Sequence, residues 1–171
     1  NNGCLGDRTV LAHLGWASSW EFNRIRDRGC KVVHCPNSNA KLGTGGFFPY
    51  RDLRNMGVIS GLGTDGAASN NSLDMFREMK AMALTQKSQY WDPMAATAFD
   101  ALECSTVNGN TIMGNCGGKV SEGMNADLVL LEIDPLMMPV RRSNLTSAIV
   151  YSATGSMVRG TLINGESVYL D

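Results

Sequence analysis

Apolar residues in the first third of this chain fall into short unbroken runs; later they recur at helical spacing. Thr9-Val10-Leu11-Ala12 runs into His13, and Lys31-Val32-Val33 runs into His34. Val58-Ile59-Ser60-Gly61-Leu62 leads through Gly63 and Thr64 to Asp65. Such runs, bounded by turn formers, predict buried strands over about 9–13, 31–34 and 58–63. Between the first two, Ser18 or Ser19 can cap a helix over about 20–28 that Gly29 ends, with Trp20, Ile25 and Phe22 turned inward. Cys35 through Gly46 is rich in Asn, Ser and Gly and predicts a loop. A short helix over about 50–56 stops at Gly57. Leu73, Met75, Phe76, Met79, Met82 and Ala83 make one wide apolar stripe, the mark of a helix running to about residue 86. Asn71 or Ser72 would cap it, with Asp74 in its first turn. Further helices are expected over about 93–104, where Pro93 suits the first turn, and 107–113.

The pattern then changes. Beyond Gly117 the chain reads as strands and turns, with strands expected over about 127–133, 147–153, 157–163 and 166–170. Asn164-Gly165 between the last two is a type I′ hairpin signal. The change places a boundary near 114–118 and divides the chain into 1–114 and 115–171. Strand–helix alternation in the first part makes the fold class α/β, with parallel units. Three such strands are too few for a closed barrel and would leave a sheet edge unpaired. With no initiating Met and a start almost directly at a strand, the chain reads as a fragment of a longer protein.

Composition narrows the function classes. Apolar residues make up 43% and charged residues 18%, which excludes a solvated, disordered chain. A net charge of −1 gives no surface for nucleic acid or anionic membrane, and no apolar run is long enough to span a bilayer. The five cysteines are scattered without a C-x-x-C pair, so neither a disulfide framework nor a zinc knuckle is indicated and a reducing cytoplasm is expected.

The chemistry-bearing residues are His13, His34 and Asp65, each at the C-terminal end of an expected strand. In β/α barrels that end carries the active site, because the loops converge there over a rigid sheet. Each residue also has a plain reading. A strand-end His is usually a hydrogen-bonded core or loop residue, and an Asp before Gly is usually a turn or cap residue.

The segments Leu11-Ala12-His13-Leu14-Gly15-Trp16, Val33-His34-Cys35-Pro36-Asn37-Ser38-Asn39-Ala40-Lys41-Leu42-Gly43 and Gly63-Thr64-Asp65-Gly66-Ala67-Ala68-Ser69-Asn70-Asn71-Ser72-Leu73-Asp74 carry a resemblance. In order and spacing they resemble the sixth, seventh and eighth barrel strands of the amidohydrolase superfamily, the 5-methylthioadenosine/S-adenosylhomocysteine deaminases above all. Ala126 to Leu131 resembles the small β-domain that follows the barrel in that family. The resemblance implies the C-terminal portion of a metal-dependent hydrolase TIM barrel, followed by the last strands of a small β-sandwich domain. It implies that Asp65 binds one divalent metal, zinc or else iron, and exchanges a proton with the attacking water. It implies that His13 sits near the attacked carbon, contacting substrate without binding the metal. His34 is given a structural role, with substrate contact as the alternative. The implied partner is a small purine nucleoside, with no nucleic acid or membrane; a homo-oligomer is allowed. The implied reaction is hydrolytic deamination of an adenine nucleoside or thioether, with guanine deamination, triazine hydrolysis or a noncatalytic remnant as alternatives. The family's H-x-H and H-x-x-E motifs are absent, so the other metal ligands must lie outside these residues. Ser69, Asn70 and Asn71 are read as helix caps, Ser38 and Asn39 as residues that order their loop, with substrate contact as the alternative, and Cys35 as a thiol without an activating base.

Overall fold

The computed structural model describes residues 3–137 and 139–171. Three short parallel strands, β1 (Val10–Ala12), β2 (Lys31–His34) and β3 (Ser60–Leu62), pair in the order β1-β2-β3. Val10 lies opposite Lys31 and Val32 opposite Ser60. Helix α1 (Ser19–Asp27) connects β1 to β2; α2 (Pro36–Leu42) and α3 (Tyr50–Asn55) connect β2 to β3. After β3 come α4 (Ala67–Asn70), α5 (Met75–Tyr90), α6 (Ala98–Ser105) and α7 (Val107–Met113). The remainder holds β4 (Leu128–Leu131), α8 (Leu145–Ser152), β5 (Val158–Ile163) and β6 (Glu166–Leu170). These last strands form a separate antiparallel sheet, β4-β5-β6.

The core lies between the parallel sheet and its helices. Val32 of β2, Phe48, Leu53 of α3, Met82 of α5 and Cys104 of α6 are at most 2% exposed. Fully burying an aliphatic or thioether side chain of this size stabilises by about 1.5–3 kcal/mol. At the outer edge of β3, the Asn108 side chain donates to the Ser60 carbonyl at 3.0 Å and satisfies one backbone acceptor. At the outer edge of β1, Leu11, Leu14, Ala17, Trp20 and Ile25 line an open groove of about 470 Å³.

Five expectations need correction. Residues 147–153 are not a strand. Helix α8 occupies them and packs on α5 and α6, with Val150 fully buried and Lys87 hydrogen-bonded to the Tyr151 hydroxyl. Residues 35–46 are not all loop, because Pro36 opens α2 at a position where its missing N–H costs nothing. The long helix is capped by Asp74, whose carboxylate accepts the Phe76 N–H at 2.8 Å; Asn71, at φ 64°, closes α4 instead, and Leu73 precedes the helix, 68% exposed. In α1, Phe22 and Ile25 are buried but Trp20 is 61% exposed. The α6 helix starts at Ala98, where the Asp100 carboxylate accepts from Thr97 and pairs with Arg54 at 3.0 Å. The hairpin signal holds, with Asn164 at φ 51° and Gly165 at φ 85°.

Candidate functional site

His13, His34 and Asp65 all lie at the C-terminal edge of the parallel sheet, but they do not face the same surroundings. His13 follows β1 directly, its N–H held by the Val33 carbonyl at 3.0 Å. Asp65 follows β3 by three residues and is solvent-exposed. Both have positive φ, 71° and 59°, a region non-glycine residues enter at a cost of roughly 1–3 kcal/mol. Such strain persists only where neighbours hold it, and here α2 does so. The Ser38 hydroxyl donates to Asp65 Oδ2 at 2.6 Å, and the Asn39 amide oxygen lies 2.7 Å from His13 Nδ1.

The first residue of this trio, Asn37, anchors α2 to the long helix. Its side chain and its backbone N–H both donate to the Glu78 carboxylate, at 2.7 and 3.3 Å. Asn70 donates to Glu78 as well, at 2.7 Å, and to the Thr64 carbonyl at 2.7 Å. Glu78 is completely buried. Three donors replace its water and make that burial tolerable. Residues 37, 38 and 39 therefore bind Glu78, Asp65 and His13 in turn. Close approach of the next loop holds the other side: a Cβ on Gly46, at φ 67°, would lie 2.1 Å from the Gly15 carbonyl oxygen, so only glycine fits there.

Electrostatics separates the candidates. The Ser38 hydroxyl, the Gly66 N–H and Ser69 hold the Asp65 carboxyl below its ordinary range, with a smaller contribution from His13. Asp65 is therefore ionised at neutral pH. Cys35 moves the other way. Burial, then the charges of Asp65 and Glu78, push its thiol up to about 11, which removes it as a nucleophile. His34 is only 5% exposed and stacks on Phe48 with ring centroids 4.4 Å apart. Burial, then the neighbouring His13, lowers its pKa to about 3, and neither ring nitrogen has a partner among the described residues.

His34 therefore gives the protein an acid-sensitive element. Its folded pKa lies below the unfolded value of 6.5, so between the two the unfolded chain binds a proton that the folded chain does not. Stability falls as pH drops through that window, by roughly 1.4 kcal/mol per pH unit from this one group. Urea denaturation at neutral pH and at mildly acid pH should show a shallower acid loss in His34→Leu than in the parent. Parallel loss in both proteins would refute the assignment.

Two parts of this arrangement, Asn37 and Glu78, had no role in the sequence reading, and Asn70 was read only as a helix cap. Glu78 had a detectable signal, since it falls with Met82 and Gln86 at four-residue spacing on the buried face of α5. Asn39 orders its loop through its carbonyl, but the side chains of Ser38 and Asn39 reach beyond that loop to Asp65 and His13. Ser69 and Asn70 belong to α4 and do not cap the long helix.

The Asp65 carboxylate is a donor that suits a divalent ion such as zinc. Among the described residues, however, no three His, Cys, Asp or Glu side chains group closely enough to hold one. No helix of the described residues is long and apolar enough to cross a membrane.

The parallel strands thus place an ionised aspartate and an imidazole at one edge of the sheet. The amidohydrolase family model matches residues 2–168, and the chain belongs to that family. More particularly, it is 41% identical over 170 residues to a 5-methylthioadenosine/S-adenosylhomocysteine deaminase of Pyrococcus furiosus, covering 99% of this chain and 40% of the relative. It is 43% identical over 170 residues to a 5'-deoxyadenosine deaminase of Methanothermobacter thermautotrophicus, covering 99% of this chain and 39% of that protein. Among solved structures, a zinc-bound adenosine deaminase from Xanthomonas campestris superposes with a TM-score of 0.92 at 33% identity, over 98% of this chain and 38% of that one. The chain thus spans about 40% of the length of the curated relatives it matches.

Proposed function

We propose that this chain is the acid–base part of a hydrolytic deaminase acting on an adenine nucleoside or its thioether, such as S-adenosylhomocysteine or 5-methylthioadenosine. The observation that carries the proposal is Asp65: ionised, exposed at a strand end, and oriented by the Ser38 hydroxyl at 2.6 Å. In this reading β1, β2 and β3 are the last three strands of an eight-stranded barrel. Residues 1–114 belong to the barrel and 115–171 to a β-rich domain, with α8 returning to the barrel helices.

Asp65 would supply one ligand to a divalent metal, zinc by preference, and the rest would come from elsewhere in the complete protein. When bound, the metal supplies acidity to a water molecule. Asp65 would accept the proton a water molecule loses as its oxygen attacks the amino-bearing ring carbon and return it to the departing nitrogen, the remaining hydroxyl proton passing to the adjacent ring nitrogen. The carbon–nitrogen bond breaks, ammonia leaves, and the base becomes its oxo analogue. His13, held by Asn39, would orient the attacking water by accepting one of its O–H groups at Nε2.

The test is ammonia release by the complete protein with adenosine, 5'-deoxyadenosine, 5-methylthioadenosine, S-adenosylhomocysteine and guanine. Turnover of one or more adenine nucleosides is the expected result. Turnover of guanine alone, or of none, would reject the proposal.

A further inference from the structure

We infer that Asn39 is a positioning residue that fixes the tautomer of His13. The amide oxygen of Asn39 stands 2.7 Å from Nδ1 of His13. An amide oxygen only accepts, so Nδ1 carries the ring hydrogen and Nε2 keeps its lone pair. An unassisted imidazole favours the opposite tautomer, with hydrogen on Nε2. The structure thus provides a reason for His13 to present an acceptor where an isolated histidine would present a donor.

The support for Asn39 is built into the fold. Its own carbonyl accepts the Thr44 N–H at 3.2 Å, which closes the end of α2. Two residues earlier, Asn37 ties α2 to the buried Glu78. The His13 backbone is held separately by Val33, so its ring direction is left to the Asn39 contact. Adjacent residues of α2 therefore serve adjacent needs with opposite polarity. Ser38 donates to a carboxylate, and Asn39 accepts from an imidazole. The catalytic meaning of the tautomer rests on the proposed role of His13; the tautomer itself does not.

The test is two-bond proton–nitrogen NMR correlation of the ¹⁵N-histidine-labelled complete protein. At alkaline pH the His13 signals should show hydrogen on Nδ1. His13→Gln identifies those signals by their loss. Asn39→Ala should shift His13 toward the Nε2–H form while the backbone amide spectrum stays dispersed. Asn39→Asp, which keeps an acceptor oxygen in place, should retain Nδ1–H. A parental His13 with hydrogen on Nε2 would overturn the inference, because the Asn39 amide would then be donating. So would a folded Asn39→Ala with an unchanged tautomer. In the complete enzyme, Asn39→Ala should lower kcat by about 10–100-fold, with a smaller change in KM. A changed tautomer with unchanged kcat would leave the assignment standing and remove the catalytic role proposed for His13.

Discussion

Asp65→Asn in the complete enzyme should abolish ammonia release while leaving the fold in place. The asparagine amide has nearly the shape of the carboxylate, and its oxygen can still accept from the Ser38 hydroxyl that now stands 2.6 Å from Oδ2. Asparagine also tolerates the left-handed backbone at this position, φ 59°, better than other non-glycine residues do. The residue is exposed, and its buried partner Ser38 keeps an acceptor in the variant. The melting transition should therefore stay where it is. What disappears is the negative charge and the capacity to take up a proton at neutral pH. Loss of a positioned general base lowers rates by about 10²–10⁴-fold, and a weakened metal ligand adds to that. A variant that still deaminates at the parental rate would eliminate Asp65 from the proton transfer.

Glu78→Ala should produce the largest loss of stability in this region. The carboxylate is completely buried and receives the Asn37 N–H, the Asn37 side chain and the Asn70 side chain. Alanine removes the acceptor and leaves those donors buried in part without partners, in addition to opening a cavity on α5. Together these effects should cost about 3 kcal/mol, within the usual range for a broken buried network. For a protein of this length that corresponds to a fall in Tm of roughly 6–12 °C. Glu78→Gln should lie between parent and alanine: its oxygen can still accept, but its NH₂ group meets a donor. Differential scanning calorimetry on the three proteins orders them. A Glu78→Ala protein that melts with the parent would show that the network contributes nothing net. Because α2 hangs from this anchor, the same variant should also loosen His13 and Asp65.

The sheet and the two strand-end residues were legible in the sequence for a simple reason. Each strand is a local apolar run whose candidate residue ends it, follows it directly or lies three residues beyond, as with His34, His13 and Asp65. The hairpin at Asn164-Gly165 was legible because both residues must adopt positive φ, 51° and 85°. Helix α8 was not. Ala148-Ile149-Val150-Tyr151 has strand-forming chemistry, yet the face it buries on α5 and α6 decides its conformation. Helix α2 was hidden by Asn and Ser, whose turn-forming preference outweighs the one positive sign, Pro36. The hydrogen bonds around the site could not be read at all. They join residues 26, 27 and 41 positions apart, distances at which spacing along a chain carries no information.

Consecutive residues of an α-helix point about 100° apart around its axis. The side chains of Asn37, Ser38 and Asn39 thus radiate from α2 in three directions, toward Glu78, Asp65 and His13. Inserting or deleting a single residue between His34 and Asn37 would rotate all three away from their partners at once. A substitution at any one of them disturbs a single spoke. Across homologous genes, the length of this stretch should therefore be under tighter selection than its composition, and insertions should collect instead in loops that carry no such spokes.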